Sequence, residues 1–574
     1  MPKRGDLSQP NNYRPITLNS VFSKIYTMNL NQRLLNWAED HDVLITNQFG
    51  FRAKKSTVDA VFILHGIISH TLGHKKKLYA AFVDFCKAFD RVDRRILWYK
   101  LMCSGVSSKF VSVIKNIYSV VNLCIRCDKT VSQSFVNSVG VKQGDALSPL
   151  LFLFFINDIA QEFNSNQYNE DQYFSLNGNL LYLFLFADDT VLFAKSPDAL
   201  QILLDKLKYY CSKWNIEVNK DKTEVLVFRN SWQQTQHKWY YDNQELNIVN
   251  SYVYLGVLLN YNGKFQATQK RFASQGGKAL SSVLNTLKNL YITPKQQCYM
   301  FDSLVSSVLN YASELWGFHQ AKDIEQIHYR FCRFVLKVPK STPLSCLVGD
   351  LGHLPMYILR KQKILKYWLK IILYKPDIVY DIYSLLVRDC NDGKVNWASN
   401  VRDLLFELGY NNLWYNQDNV DICYDILNRR LLDQYYQSWY ASITDSEKLH
   451  IYRSIKTEFV LEEYLLYNTN VKLLSHLRFG ILKLNVETGR YYNINREDRL
   501  CKCCSMKNVE NEYHFMLVCP AYRQIRLKYF TKYYCSWPSM NKLYALLKSK
   551  SEKFIYKICC YIRESWALRS HILL

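Results

Sequence analysis

The stretch FADDTVLFA, Phe186 to Ala194, sets two adjacent aspartates between apolar runs. LYLFLF precedes the pair and TVLFA follows it, and both runs read as buried strand, which puts the acids at a hairpin turn. At an effective dielectric of about 20, two unit charges ~4 Å apart repel by about 4 kcal/mol. A chain keeps such a pair only on an open turn or beside a cation that neutralises it.

A third acid completes the second possibility. LYAAFVDF, Leu78 to Phe85, is nearly all apolar before its single aspartate, as in a strand covered on both faces. Placed beside the hairpin, Asp84 would join Asp188 and Asp189 in an oxygen-donor site suited to Mg²⁺. Two such ions about 3.5–4 Å apart can activate an attacking hydroxyl and stabilise a leaving oxygen in phosphoryl transfer. An exposed Asp-Asp turn without a ligand is the plainer reading of the pair alone.

The chain has 574 residues, enough for several lobes. Its 73 Lys and Arg outnumber its 50 Asp and Glu, a net charge of +23 that favours a polyanionic partner such as nucleic acid. Seventeen cysteines, spread along a long chain, fit free thiols or metal ligands in a reducing compartment better than a disulfide framework. The start, MPKRGDLSQPNNYRP, has no apolar signal core, and the longest apolar run, LSPLLFLFFINDI, is too short to cross a bilayer. These features predict an intracellular protein with no membrane span.

Helical periodicity is expected over 21–37, 57–70, 94–103, 197–215, 296–311 and 324–338. Ser148 suits a helix cap and Pro149 the first helical position. TEVLVF reads as a strand, and YVYLGVLLN as one arm of a further hairpin. Strand signals fade from about residue 290, and a polar patch at 389–400 marks a second, weaker boundary.

Seven motifs follow one another in a set order: NNYRPITLNSVFSKI, NQFGFRAKKSTVDA, AFVDFCKAFDRVD, GVKQGDALSPLLFLFFINDI, FADDTVLFA, NKDKTEVLVF and YVYLGVLL. Together they resemble the reverse transcriptases of non-LTR (LINE-like) retrotransposons across roughly residues 11 to 260. The resemblance implies an α+β fold: a right-hand polymerase palm with an antiparallel sheet and helical fingers, followed by a helical thumb and a helical C-terminal region with a small zinc knuckle. The corresponding domains are fingers and palm at 1–265, a thumb-like helical region at 266–390, and a basic helical region at 391–574.

Carried over by position, Asp84, Asp188 and Asp189 are the metal-binding triad for two Mg²⁺ ions, with the backbone of Phe85 beside them. Phe89 matches the bulky gate that crowds a 2′-hydroxyl, although core packing would also explain it. Gln143 and Gly144 match the loop over the incoming nucleotide, where glycine permits close backbone approach. Lys222 matches a lysine near the pyrophosphate, a position for a general acid, and is otherwise a solvated surface residue. Arg52, Lys54 and Lys55 are the fingers cations for the triphosphate. PKQQCYMFDSLVSSVLNYASELWG resembles the thumb helices. The implied activity is RNA-directed DNA polymerisation, and the implied partners are an RNA template, a DNA primer or target and deoxynucleoside triphosphates. Nuclear action is implied by the family alone, and the oligomeric state is left open.

Near the end, Cys501-x2-Cys504-x9-His514-x4-Cys519 has the ligand types of a closed tetrahedral Zn²⁺ site, and it resembles the zinc knuckle of the same family. Cys503 is an extra thiol that could replace Cys501 or Cys504. The segment YRQIRLKYFTKYYCSW beyond it either stacks on RNA or closes the C-terminal lobe as an amphipathic helix. Because the chain begins almost inside the first fingers motif, the fingers are read as N-terminally truncated, with target nicking supplied elsewhere. The competing readings are a catalytically inactive, nucleic-acid-binding remnant and a group II intron maturase; the cysteine-histidine cluster argues against the maturase.

Overall fold

A computed structural model describes residues 6, 8, 9, 13, 15–127, 130–163, 171–233, 236–417, 423–467 and 471–573. Residues 11, 12 and 14 of the first motif lie outside the described residues. The chain divides into two units, one of residues 1–267 with 374–400, the other of 268–373 with 401–574.

The first unit is built on a five-stranded sheet. Its strands are β1 (Leu78–Val83), β2 (Leu183–Phe186), β3 (Asp189–Ala194), β4 (Glu224–Phe228) and β5 (Asn247–Val249), in the spatial order β5-β4-β1-β3-β2. Pairing is antiparallel throughout except at the outer strand, where β5 runs parallel to β4. The central strand β1 is buried along all six residues. Alternation sends Tyr79, Ala81 and Val83 to one face, where they meet Leu192, Val225, Val227 and the helices Arg94–Cys103, Ser148–Ile156 and Pro197–Trp214. Phe82 points to the other face and stacks on Tyr252, ring centroids 4.2 Å apart. With both faces covered, β1 carries no polar side chain until Asp84.

Several local expectations are refined. The helix beginning at Ser148 is not capped by that side chain: Leu147 is the cap residue, and the Ser148 hydroxyl lies 3.3 Å from the Tyr118 hydroxyl. Asp145 instead accepts from the Leu147 amide at 2.9 Å. YVYLGVLLN is a whole hairpin rather than one arm, Ser251–Tyr254 pairing with Val257–Asn260. Leu255 and Gly256 form its two-residue turn, both at positive φ as a type I′ turn requires.

A returning helix, Asp377–Asn391, packs on the helix Thr57–Gly73 within the first unit. Gly66 allows this approach, because a Cβ there would fall inside 3 Å of Ile382 Cγ2. Glycine inside a helix costs about 1 kcal/mol relative to alanine, so close packing explains its presence.

The second unit is helical. Thr293 opens the helix Pro294–Phe301 with a capping box to Gln296, and the continuation expected to Tyr311 is broken by a wide turn over Asp302–Ser306. Further helices include Lys322–Leu336, Leu344–Leu351, Met356–Tyr374, Tyr424–Thr444 and Glu552–Leu573. Asp350, fully buried, accepts from the hydroxyls of Tyr452 at 2.9 Å and Tyr464 at 2.7 Å and from Arg478 Nε at 3.1 Å. A buried carboxylate is tolerated here because its oxygens are satisfied and its charge is paired. No helix among the described residues is long and apolar enough to cross a membrane.

Gly66→Val overpacks the contact with Ile382 and is expected to destabilise the first unit by about 1–3 kcal/mol. A lower thermal unfolding midpoint of the full chain, followed by circular dichroism, checks it.

Candidate active site

Register brings the acids together. β1 and β3 pair Val83 with Thr190, so the next pair in the ladder is Asp84 and Asp189. β1 and β4 pair Phe82 with Glu224, which sets Asp84 opposite Lys222 two residues on. The Lys222 ammonium lies 3.8 Å from Asp84 Oδ2, with both side chains more than a third exposed. Asp84 shares the face of Phe82, where the Tyr252 ring lies. The Tyr252 hydroxyl is pushed up by burial first and then by the negative charges of Asp189, Asp84 and Glu224. The charges of three acids, carried at or just past the ends of β1, β3 and β4, thus bear on one tyrosine.

Backbone bonds fix Asp84 from below. Its amide donates to Thr223 Oγ1 at 3.3 Å, and its carbonyl accepts from the Asn219 amide at 2.7 Å. Phe85 forms an isolated antiparallel bridge with Val218 and is buried, its backbone continuing directly from Asp84.

The Asp188–Asp189 turn is held by residues 47–50. Phe186 pairs with Asp189, leaving Ala187 and Asp188 as the turn, with Ala187 left-handed at φ +57°. Residues 47–49 run beside β2 as an extra parallel bridge: the Phe49 amide donates to Leu185 O at 2.8 Å, and the Leu185 amide to Asn47 O at 3.0 Å. The buried Gln48 side chain accepts through Oε1 from the amides of Ala187 at 3.0 Å and Gly50 at 2.9 Å. Gly50 packs on the same turn, where a Cβ would meet Phe186 C at 3.0 Å and Ala187 Cα at 3.2 Å. Sequence reasoning missed Gln48, Gly50 and Glu224. The signal for Glu224 was available, since it is the lone acid opening an apolar strand, as Asp84 is the lone acid closing one.

The three aspartates do not form a closed cluster. Among the described residues, the groups of three or more candidate ligands with donor atoms all within 4.8 Å lie elsewhere. All donors here are carboxylate oxygens on an accessible sheet edge, a hard, adjustable set that fits Mg²⁺, the ion that reverse transcriptases generally use.

The remaining candidates surround this edge differently. Phe89 is half-buried and stacks on Phe152, ring centroids 4.7 Å apart. Gln143 Nε2 donates to Asp90 Oδ1 at 3.0 Å, and its carbonyl accepts from the Thr17 amide at 2.6 Å. Gly144, at φ +105°, lies against Thr17, whose carbonyl oxygen would be 2.9 Å from a Cβ. Arg52 is engaged elsewhere: Nε donates to Glu39 Oε1 at 2.8 Å and Nη1 to Ile45 O at 2.8 Å. Lys55 donates to Thr46 O at 2.7 Å, and burial holds its ammonium down to about 8. Lys54 is the exposed member of the three.

In the second unit, donor atoms of Cys501, Cys504, His514 and Cys519 lie within 4.8 Å of one another. Cys501 Sγ and Cys519 Sγ are 4.0 Å apart, and Cys504 Sγ is 3.4 Å from His514 Nε2. The edges of a tetrahedron built on Zn–S of about 2.3 Å and Zn–N of about 2.0–2.1 Å are roughly 3.5–3.8 Å. A wide turn over His514–Val518, closed by the Cys519 amide on His514 O at 2.7 Å, brings the last two donors together. Arg526 donates to Met516 O at 2.9 Å and Cys519 O at 2.8 Å from a buried position. Cys503 is outside this foursome and groups with Glu510 and Cys501.

Residues 1–259 match the family described as "Reverse transcriptase (RNA-dependent DNA polymerase)". A retrovirus-related Pol polyprotein from a type-2 retrotransposable element of Drosophila melanogaster is 30% identical over 226 residues, 39% of this chain and 20% of that protein. "Probable RNA-directed DNA polymerase from transposon BS" of the same species is 27% identical over 323 residues, 54% of this chain and 34% of its own length. The RNA-directed DNA polymerase from its mobile element jockey is 25% identical over 224 residues, covering 38% and 24%. The matches therefore span between 20% and 34% of these relatives. Among solved structures, telomerase from Candida tropicalis in complex with a fragment of telomeric RNA aligns over 64% of this chain and 57% of that one. At 14% identity and a TM-score of 0.33, that superposition is too loose to support an argument. Residues 1–259 of this chain thus match a reverse transcriptase domain, and the relatives they resemble are proteins of retrotransposable elements.

Proposed function

We propose that the chain is an RNA-directed DNA polymerase that extends a primer 3′-hydroxyl with deoxynucleotides on an RNA template. The observation that carries this reading is the register that sets Asp84 opposite Asp189 at the edge of a reverse transcriptase domain. In the reaction the 3′-hydroxyl oxygen attacks the α-phosphorus of the incoming nucleotide, its proton passes to water, and the bond to pyrophosphate breaks. Asp84, Asp188 and Asp189 hold Mg²⁺, which when bound supplies Lewis-acid stabilisation of the charge that builds on the phosphate oxygens.

The chain's own groups do the rest. Lys222, beside Asp84, donates a proton to the leaving pyrophosphate oxygen. The Phe85 backbone and the Phe89 ring bound the sugar, and the stack on Phe152 keeps that ring in place to exclude a 2′-hydroxyl. Gln143 and Gly144 present backbone to the nucleotide. Of the fingers cations, Lys54 is the one disposed to meet the triphosphate, with Arg52 and Lys55 bracing the loop that carries it. The net charge of +23 supports RNA and DNA as partners. In the second unit, Cys501, Cys504, His514 and Cys519 bind a structural Zn²⁺.

Primer extension on an RNA template tests the function. Changing a residue that only hydrogen-bonds a metal ligand costs about 10–100-fold, so Asp188→Ala and Asp84→Asn, which remove direct ligands, are expected to lower activity by more than about 100-fold. Activity equal to the unaltered chain would instead favour the inactive, nucleic-acid-binding remnant. Gln48→Leu leaves two buried amides without an acceptor, at about 1–3 kcal/mol each. It is expected to reduce turnover by about 10–100-fold with primer–template binding retained, read by single-turnover kinetics alongside a binding isotherm. A zinc chelator is expected to lower the unfolding temperature of the second unit, and Cys504→Ser to remove that shift of the second unit; scanning calorimetry with and without chelator reports both.

A further inference from the structure

His70 lies in the last turn of the fingers helix Thr57–Gly73, and His74 is the residue that ends it. A spacing of four puts both imidazoles on one side of the helix, with ring centroids 4.2 Å apart. Asp389 faces them from the returning helix Asp377–Asn391, its side chain 6% exposed. His70 Nδ1 is 2.9 Å from Asp389 Oδ2, and His74 Nε2 is 3.8 Å from Oδ1. One donor atom from each residue falls in a group within 4.8 Å. All three belong to the first unit, and none takes part in the acidic site.

The hydrogen bonds leave a lone pair pointing inward. His74 Nδ1 is 2.8 Å from the His70 carbonyl oxygen, which can only accept, so Nδ1 carries the proton and Nε2 is free to ligate. Metal-binding histidines are oriented in this way, with the other ring nitrogen donating to a backbone carbonyl or a carboxylate. A positive charge already stands at the centre: the Lys394 ammonium contacts His74 Nε2 and lies 3.3 Å from Asp389 Oδ1. Its backbone is tied separately, the Lys394 amide donating to Asp389 O at 2.9 Å, so the side chain can swing away without opening the turn.

We propose that His70, His74 and Asp389 bind a divalent transition-metal ion of the Zn²⁺ class, which takes the place of the Lys394 ammonium. Two imidazoles and one carboxylate suit zinc and its neighbours rather than magnesium, which prefers oxygen. Three protein ligands leave room for water to complete the shell. The bound ion staples the fingers helix to a helix 319 residues further along the chain.

The experiment uses the full-length chain, stripped by chelator and titrated with Zn²⁺ in excess Mg²⁺. Cys504→Ser, which disables the cysteine cluster, is expected to keep one tight zinc equivalent, and His74→Ala combined with Cys504→Ser to lose it. Lys394→Ala is expected to tighten that equivalent severalfold by removing the competing cation. With Co²⁺ as the probe, the site is expected to give d–d absorption without thiolate-to-metal charge transfer. His74 is at an exposed helix end, so unchanged far-ultraviolet circular dichroism accompanies a specific loss. Equal zinc content with and without His74, or an affinity unaltered by Lys394→Ala, overturns the proposal.

Discussion

The antiparallel ladder between β1 and β3 is the constraint on which the site depends. Asp84 and Asp189 are far apart in the chain, and only the pairing of Val83 with Thr190 makes them neighbours. A slip of one residue would turn Asp84 to the opposite face and exchange the side chains of β1 between two differently packed layers. Burial on both faces of that strand therefore enforces the position of an acid that lies beyond its end. The same ladder, extended to β4, sets Lys222 and Glu224 on the acid-bearing face.

A register alone would still leave two adjacent carboxylates on a strained turn. Ala187 is left-handed without being glycine, a conformation that costs a residue with a Cβ. Residues 47–50 hold that turn through one side-chain oxygen, Gln48 Oε1, which serves two buried amides, and through Gly50, which lets the backbones touch. This segment thus acts on the acids by shaping the turn that carries them.

Three polar sites show how differently a fold can handle concentrated ligand atoms. The aspartates sit open at a sheet edge, where carboxylates can adjust. The four cysteine and histidine donors are gathered into a compact group by a wide turn and braced by the buried Arg526. His70, His74 and Asp389 are neutralised by a lysine from the adjoining turn. Carboxylates on an open edge can readjust around what they bind, whereas donors gathered by a wide turn are fixed in place.

Much was legible locally. The helix over Arg94–Cys103, the strand character of LYAAFV and TEVLVF, and the hairpin around Asp188 and Asp189 follow from periodicity and turn chemistry within about ten residues. The ordered motifs carried the family. Other features depend on partners remote in sequence. Ser148 has the chemistry of a cap, yet Leu147 is the cap residue, Asp145 accepts from its amide, and the Ser148 hydroxyl sits beside Tyr118. Arg52 and Lys55 are the right cations for a triphosphate, but Glu39 and backbone carbonyls claim them. Gln48, Gly50, Glu224 and the His70–His74–Asp389 group gain meaning only across the fold. By itself, the sequence determined which segments are strand, helix or turn and which acids and thiols exist to bind metal, because local sterics and burial period are written residue by residue. The tertiary structure decided which of those groups meet, because strand register and helix packing are set by contacts between residues far apart in the chain.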